Sequence, residues 1–320
     1  MTPAGEILRD EIVRGGPIPF SRFMEVALYH PEHGYYRKRD PFGRAGDFYT
    51  AEQLQPVFGL LVSRFFQSLW SAEGKPDGWT VVELGAGNRE MEPFFARCGY
   101  AAVEVGDRLP EAFKGFVLAN EFFDALPVES AVRRGSAFRL MRVGFADGRF
   151  YWLEAEEAEG ALQSHLKTFA RETPEGGRIE VCLEAPAWIG RVAASLRAGF
   201  LLVFDYGYEA REAIRFPEGT LMSYRRHQAL EDVLRDPGEQ DITAHVCFSA
   251  LESAAHESGF EVVLRESMGR TLLRAVETDD FGGVFEAAGE TERSRRRLQL
   301  KHLVFGMGES FRSLLLRRRT

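Results

Sequence analysis

Cysteine is scarce in this chain of 320 residues: Cys98, Cys182 and Cys247 stand far apart, with no C-x-x-C pair among them. That spacing argues against a disulfide framework and a cysteine zinc site, and points to a reducing compartment. No apolar run approaches the roughly 20 residues that span a bilayer, so no membrane partner is expected. Positive charge is not in excess either. Forty Lys and Arg against 48 Asp and Glu leave a net charge of −8, which disfavours a general grip on nucleic acid. The first twenty residues lack a signal-type apolar core, and Glu6, Asp10 and Glu11 speak against a mitochondrial transit peptide, so a cytoplasmic location is expected. Internal repeats and low-complexity segments are also missing. The acidic run 154–159 reads as an exposed stretch, and the arginine clusters 295–297 and 317–319 as a solvated helix face, with docking to an acidic partner as the alternative.

What is present suits a soluble enzyme with a large core: 45% of residues are hydrophobic and 12% aromatic, enough for one elaborated α/β domain. The apolar run 79–82 reads as a buried strand that delivers Glu83-Leu84-Gly85-Ala86-Gly87, a glycine turn led by an acid. A dinucleotide needs a third small residue in the turn and no negative charge beside its phosphates. Here Glu90 holds that third position and Glu83 adds charge. S-adenosylmethionine has no phosphate and carries an ammonium and a sulfonium, so carboxylates near the turn attract it.

Further strands are expected over 100–105, 115–120 and 199–205. Glu104 falls about twenty residues past the turn, the spacing at which a carboxylate accepts from both hydroxyls of a ribose. The third strand runs into Asn120-Glu121-Phe122-Phe123-Asp124-Ala125-Leu126-Pro127, polar groups bunched where open α/β sheets bind ligands. Asp124 alone could equally be a helix cap.

Helices are expected over 2–14, opened by Thr2-Pro3, and over 21–29 and 52–70, which together form an N-terminal cap over 1–75. The remainder, 76–320, reads as the catalytic domain with insertions at about 131–198 and 206–247. The first insertion holds a hairpin, 138–145 and 149–154 about Asp147-Gly148, then a helix, a strand over 178–183 and a helix from Pro186. A closing antiparallel hairpin is expected from 260–266 and 271–277, joined through Gly269.

Blocks spread from Tyr29 to the C-terminus carry a family resemblance. They are His30-Pro31-Glu32-His33-Gly34-Tyr35-Tyr36, Gly46-Asp47-Phe48-Tyr49-Thr50-Ala51, the glycine turn, and Asn120 to Pro127. Later come Phe204-Asp205-Tyr206-Gly207, Tyr224-Arg225-Arg226-His227, Pro237-Gly238-Glu239-Gln240-Asp241-Ile242-Thr243-Ala244-His245-Val246 and Met307-Gly308-Glu309-Ser310-Phe311. In these the chain resembles the MidA-like class I methyltransferases, whose mitochondrial members are arginine methyltransferases required for assembly of NADH:ubiquinone oxidoreductase. It departs from them in two places. The turn continues as Asn88-Arg89-Glu90 instead of with another glycine, and only residues 106–114 separate the second strand from the third.

The resemblance implies a Rossmann-like class I methyltransferase sheet, S-adenosylmethionine as cofactor, and a protein substrate with arginine as the acceptor. A respiratory-complex subunit is a candidate substrate, and a homodimer a candidate assembly. Gly46, Asp47, Thr50, Glu83, Gly85, Gly87, Glu104, Asp107 and Asn120 become the cofactor candidates. Glu121 is expected to hold the acceptor with a second acid, for which Glu129, Asp124 and Asp241 compete; a guanidinium needs paired carboxylates because it stays protonated. His227 and His245 are candidates to accept the released proton, and Tyr206 with His227 and Glu129 forms the substrate side. His30 and His33 lack further ligands in sequence reach, so no metal is expected. Two other readings remain open at this stage: a non-catalytic assembly factor on the same fold, and a small-molecule methyltransferase.

Overall fold

The computed structural model describes residues 1–38, 54–225, 228–230, 232–276, 281–286 and 289–319. They fall into two compact units interleaved along the chain: residues 1–48, 123–188 and 207–253 form one, and residues 49–122, 189–206 and 254–320 the other.

The second unit is built on a sheet in the order Glu261–Ser267, Phe311–Arg318, Leu196–Tyr208, Phe113–Asn120, Thr80–Leu84, Gly99–Val103. The last four strands are parallel to one another, and Phe311–Arg318 is antiparallel to both of its neighbours. Val81, Val82, Val117, Leu118, Leu201, Leu202 and Val203 are all buried, the continuous apolar pattern of parallel strands covered on both faces. Helix Val57–Ala72 buries Val57, Phe58, Leu61, Val62, Phe65 and Phe66, a helical repeat that lays one stripe on the core. Phe66 stacks on Phe116 at 4.4 Å, and Trp79 meets the same ring edge-on at 4.6 Å.

The four core strands appear where the apolar runs predict them. The closing hairpin does not. Its first strand is present as Glu261–Ser267, but Met268–Arg274 is a helix, because Met268, Thr271 and Leu272 recur at helical spacing and are buried on one face. The antiparallel partner is instead Phe311–Arg318, with Glu261 opposite Arg317. The arginines of 317–319 are therefore not on a helix. Arg317 pairs with Glu73 at 2.6 Å and lies over the Phe200 ring, and Arg318 donates to the Ser258 carbonyl. Arg295, Arg296 and Arg297 do lie on a helix, Glu290–Phe305.

The first unit opens with helix Pro3–Gly15, where Thr2 Oγ1 accepts from the Gly5 amide at 3.0 Å, and continues with helix Phe20–Tyr29. Its larger sheet runs Ile18–Pro19, Ala137–Ala146, Glu129–Arg134, Arg178–Val181, with Arg149–Glu157 paired to Ala137–Ala146. The hairpin turn is as expected: Asp147 and Gly148 both have positive φ, 48° and 76°, which matches strand twist. A three-stranded sheet joins Gln228–Leu230, Met222–Arg225 and Asp241–Thr243. Among the described residues no helix is long and apolar enough to cross a membrane.

Two glycines fix the register of the parallel strands. Thr80 faces Gly115, and Gly115 faces Gly199; a Cβ on Gly115 would lie 2.0 Å from the Thr80 carbonyl oxygen, and one on Gly199 1.9 Å from that of Gly115. Their φ values, 143° and 132°, lie outside the range of ordinary side chains. Gly199→Ala is expected to cost about 1–3 kcal/mol, as overpacking does. Chemical denaturation of the two proteins measures it.

Candidate functional site

In the second unit the turn after Thr80–Leu84 has the geometry that its glycines allow. Gly85 and Gly87 have φ of 68° and 49°, the Gly85 amide donates to the Val103 carbonyl at 2.8 Å, and the Gly87 amide donates to Glu104 Oε1 at 2.9 Å. A Cβ on Gly85 would meet the Phe122 ring at 2.9 Å. Glu104 is fixed in turn, because Asp107 Oδ2 accepts from its amide at 2.9 Å and the Asp107 amide returns to the Glu104 carbonyl at 3.0 Å. Gly85, Gly87, Glu104 and Asp107 therefore meet at one edge of the sheet. Glu83, which leads the turn, is 1% exposed and accepts from the Tyr100 hydroxyl.

Arg89, in the stretch that follows the turn, keeps a left-handed backbone, φ 58°. Its amide donates to the Ala86 carbonyl at 2.7 Å, and its guanidinium lies over the Tyr100 ring, 3.1 Å from Glu92. A left-handed backbone at a residue with a side chain is strained.

Asn120, 4% exposed, ends Phe113–Asn120, and its amide nitrogen donates to Glu121 Oε1 at 3.4 Å. Glu121 has φ 51° and donates its backbone N–H to the Phe204 carbonyl at 2.9 Å. A glutamate in that conformation is strained, and such strain clusters at functional sites. Tyr206 packs its ring at 3.8 Å from Phe311.

In the first unit, Asp124 and Asp241 are 5% and 3% exposed. Asp241 Oδ1 accepts from the Tyr36 hydroxyl at 2.7 Å, and Asp241 is the register partner of Tyr224 on the adjacent strand. The Asp124 carbonyl accepts from the Ala244 amide at 2.9 Å. Tyr29 donates to the Ala125 carbonyl at 2.9 Å, with its ring 5.5 Å from that of Tyr36. Burial first, and then the charges of Asp241 and Asp124, raise the pKa of Tyr29, Tyr36 and Tyr224. Both carboxylates thus act on the same three phenols. Sequence reasoning named the two acids and missed the tyrosines, although Tyr36 and Tyr224 stand in the blocks quoted above.

His245 lines a cavity together with Phe123, Glu180, Cys182 and Cys247. Burial lowers its pKa, so the imidazole is neutral at ordinary pH. Glu129 begins a strand and accepts from the Ser21 hydroxyl at 2.5 Å. Gly46, Asp47, Thr50 and His227 lie outside the described residues.

Residues 100–264, more than half of the chain, match the family described as "Putative S-adenosyl-L-methionine-dependent methyltransferase". The chain belongs to that family. It is similar to the mitochondrial protein arginine methyltransferase NDUFAF7 homolog of Drosophila melanogaster, 28% identical across 79% of this chain and 70% of the relative. With the human mitochondrial protein arginine methyltransferase NDUFAF7 it shares 27% identity across 80% of this chain and 69% of that one. A crystal structure of a COG1565 superfamily member from Burkholderia thailandensis, bound to S-adenosyl-homocysteine, superposes with a TM-score of 0.87 at 29% identity, covering 98% of this chain and 92% of the other.

The chain is accordingly an S-adenosylmethionine-dependent methyltransferase with a class I fold. The residues present suit that cofactor: a glycine turn with a carboxylate beside it, where phosphates would be repelled. The expected cytoplasmic location is corrected by the same comparison, because these relatives are mitochondrial proteins.

Removing the Glu104 carboxylate should weaken the cofactor most. Glu104→Ala is expected to reduce affinity for S-adenosylhomocysteine by about 1.5–3 kcal/mol, the range for hydrogen bonds to a charged group. Calorimetric titration measures this, and NAD should give no binding heat with either protein.

Proposed function

We propose that the chain methylates an arginine side chain of a protein. The observation that carries this reading is the pair of buried carboxylates, Asp124 and Asp241, set among Tyr29, Tyr36 and Tyr224. Carboxylates and aromatic faces together favour a flat cation, and a guanidinium offers donors for the former and a π-face for the latter. The names of the mitochondrial relatives, protein arginine methyltransferases, point the same way.

In this reading Gly85 and Gly87 give the amino-acid end of the cofactor room to approach, Glu104 accepts from the ribose, and Asp107 and Asn120 border the same edge. When bound, S-adenosylmethionine supplies an already activated methyl group. The protein's share is alignment and exclusion of water, and positioning alone contributes much of the needed rate. Asp124 and Asp241 hold the guanidinium and draw positive charge away from the attacking nitrogen, His245 takes the released proton, and Glu121 is the carboxylate at the end of the strand that carries Asn120. Glu129 borders the acceptor. The insertion at about 206–247 is the part given to substrate. A respiratory-complex subunit is the substrate that the family resemblance suggests, and a homodimer is the assembly in which we place the chain.

The test is transfer of isotopically labelled methyl groups to proteins of a cell extract, followed by mass spectrometry. Label on arginine is expected. Asp124→Asn and Asp241→Asn should each lower kcat by about 10²-fold, the scale of a lost charge-stabilising contact, while leaving cofactor affinity near that of the parent. Label confined to lysine, to carboxylates or to a metabolite rejects the arginine reading.

A further inference from the structure

A buried carboxylate of the first unit has no part in the scheme above. Glu180, on strand Arg178–Val181, is 6% exposed. Its Oε2 accepts from the Thr220 amide at 2.6 Å and from the Thr220 hydroxyl at 2.8 Å. The same hydroxyl accepts from the His245 amide at 3.1 Å. Its one proton goes to Glu180 and its lone pair receives the N–H of His245, so the direction of the chain of bonds is fixed. Gly219, with φ 83°, closes the other side: a Cβ there would lie 2.4 Å from Glu180 Oε1. The carboxylate is held between two successive residues of one loop.

That loop meets a segment already tied at its neighbours. The Ala244 amide donates to the Asp124 carbonyl, and Val246 pairs in parallel with Gly207. Three consecutive residues, 244 to 246, are therefore anchored to three separate parts of the unit, and the middle anchor depends on Glu180. The His245 ring meets the Phe216 ring edge-on at 5.3 Å and reaches a cavity also lined by Phe123, His165 and Leu251. Burying a carboxylate is costly, and an apolar residue of similar size would fill the space at less expense. What an apolar residue cannot do is hold the Thr220 hydroxyl in the orientation that receives the His245 amide.

We propose that Glu180 is a positioning residue that acts through Thr220 to fix the backbone of His245, and so presents its imidazole to the cavity as the proton acceptor in methyl transfer. The inference rests on the proton-accepting role proposed above for His245. As the acceptor nitrogen forms its bond to the methyl carbon, the carbon–sulfur bond breaks with its electrons left on sulfur. The proton on that nitrogen passes to the neutral imidazole, which becomes imidazolium.

Hydrogen exchange at the His245 amide reads the anchor without reference to activity, and steady-state kinetics reads the consequence. Thr220→Val and Glu180→Leu should each speed exchange at His245 by about tenfold, near the effect of one lost hydrogen bond, and lower kcat by a similar factor with KM unchanged. Thr220→Ser and Glu180→Gln keep the acceptors and should restore both, which separates loss of the anchor from general misfolding. In a His245→Ala background, Glu180→Leu should lower kcat no further. Unchanged exchange at His245, an equal loss of kcat in that background, or full kcat in His245→Ala alone would overturn the proposal. Failure of the parent protein to label arginine would strike at the proposed function instead, and the exchange result would still report whether Glu180 anchors His245.

Discussion

The meeting of Thr80, Gly115 and Gly199 in one register line is the constraint on which the cofactor edge depends. Backbones that close cannot slide, since a shift by one residue would bring a Cβ against a carbonyl. With the line fixed, Leu84 stands level with Val103 and Ala119, and Asn120 with Phe204. The strands therefore end together, and Gly85, Glu104 and Glu121 follow at one edge. A carboxylate twenty residues from a glycine turn becomes its hydrogen-bond partner only because the strands between them are held in step.

Strain is spent at that edge. Arg89 and Glu121 both carry left-handed backbones that cost a residue with a side chain roughly 1–2 kcal/mol. Arg89 keeps that backbone with its side chain drawn aside to Glu92 and Tyr100. Glu121 is held in its conformation by the Phe204 carbonyl on the neighbouring strand. In the first unit the cost takes another form, the burial of Asp124, Asp241 and Glu180. Groups so expensive to bury are retained where they orient something else, a phenol for Asp241 and a threonine for Glu180.

Local patterns reported the local structure well. The Thr2 cap, the Asp147-Gly148 turn and the four core strands were legible because each is decided by residues adjacent in the chain: a side-chain acceptor, two positive φ angles, a continuous apolar run. The closing hairpin was misread for the complementary reason. Residues 268–274 carry both apolar content and a glycine, which fits a strand as well as a helix, and the true partner of Glu261–Ser267 lies more than forty residues on. No short-range signal specifies a pairing of that separation.

The amino-acid sequence by itself determined the class of the protein and its ligand chemistry, because an acid-led turn and the family blocks are properties of residue identity and order. It also marked the acids from which a cation seat can be made. Only the tertiary structure decided which groups share a locale: that Tyr29, Tyr36 and Tyr224 feel the charges of Asp124 and Asp241, that Glu83 turns inward to Tyr100, and that Glu180 reaches His245 through Thr220. The physical reason is range. Turn chemistry and apolar periodicity act over a few residues, whereas hydrogen bonds and charges act over a few ångströms, and those distances exist only once strands far apart in the chain have paired.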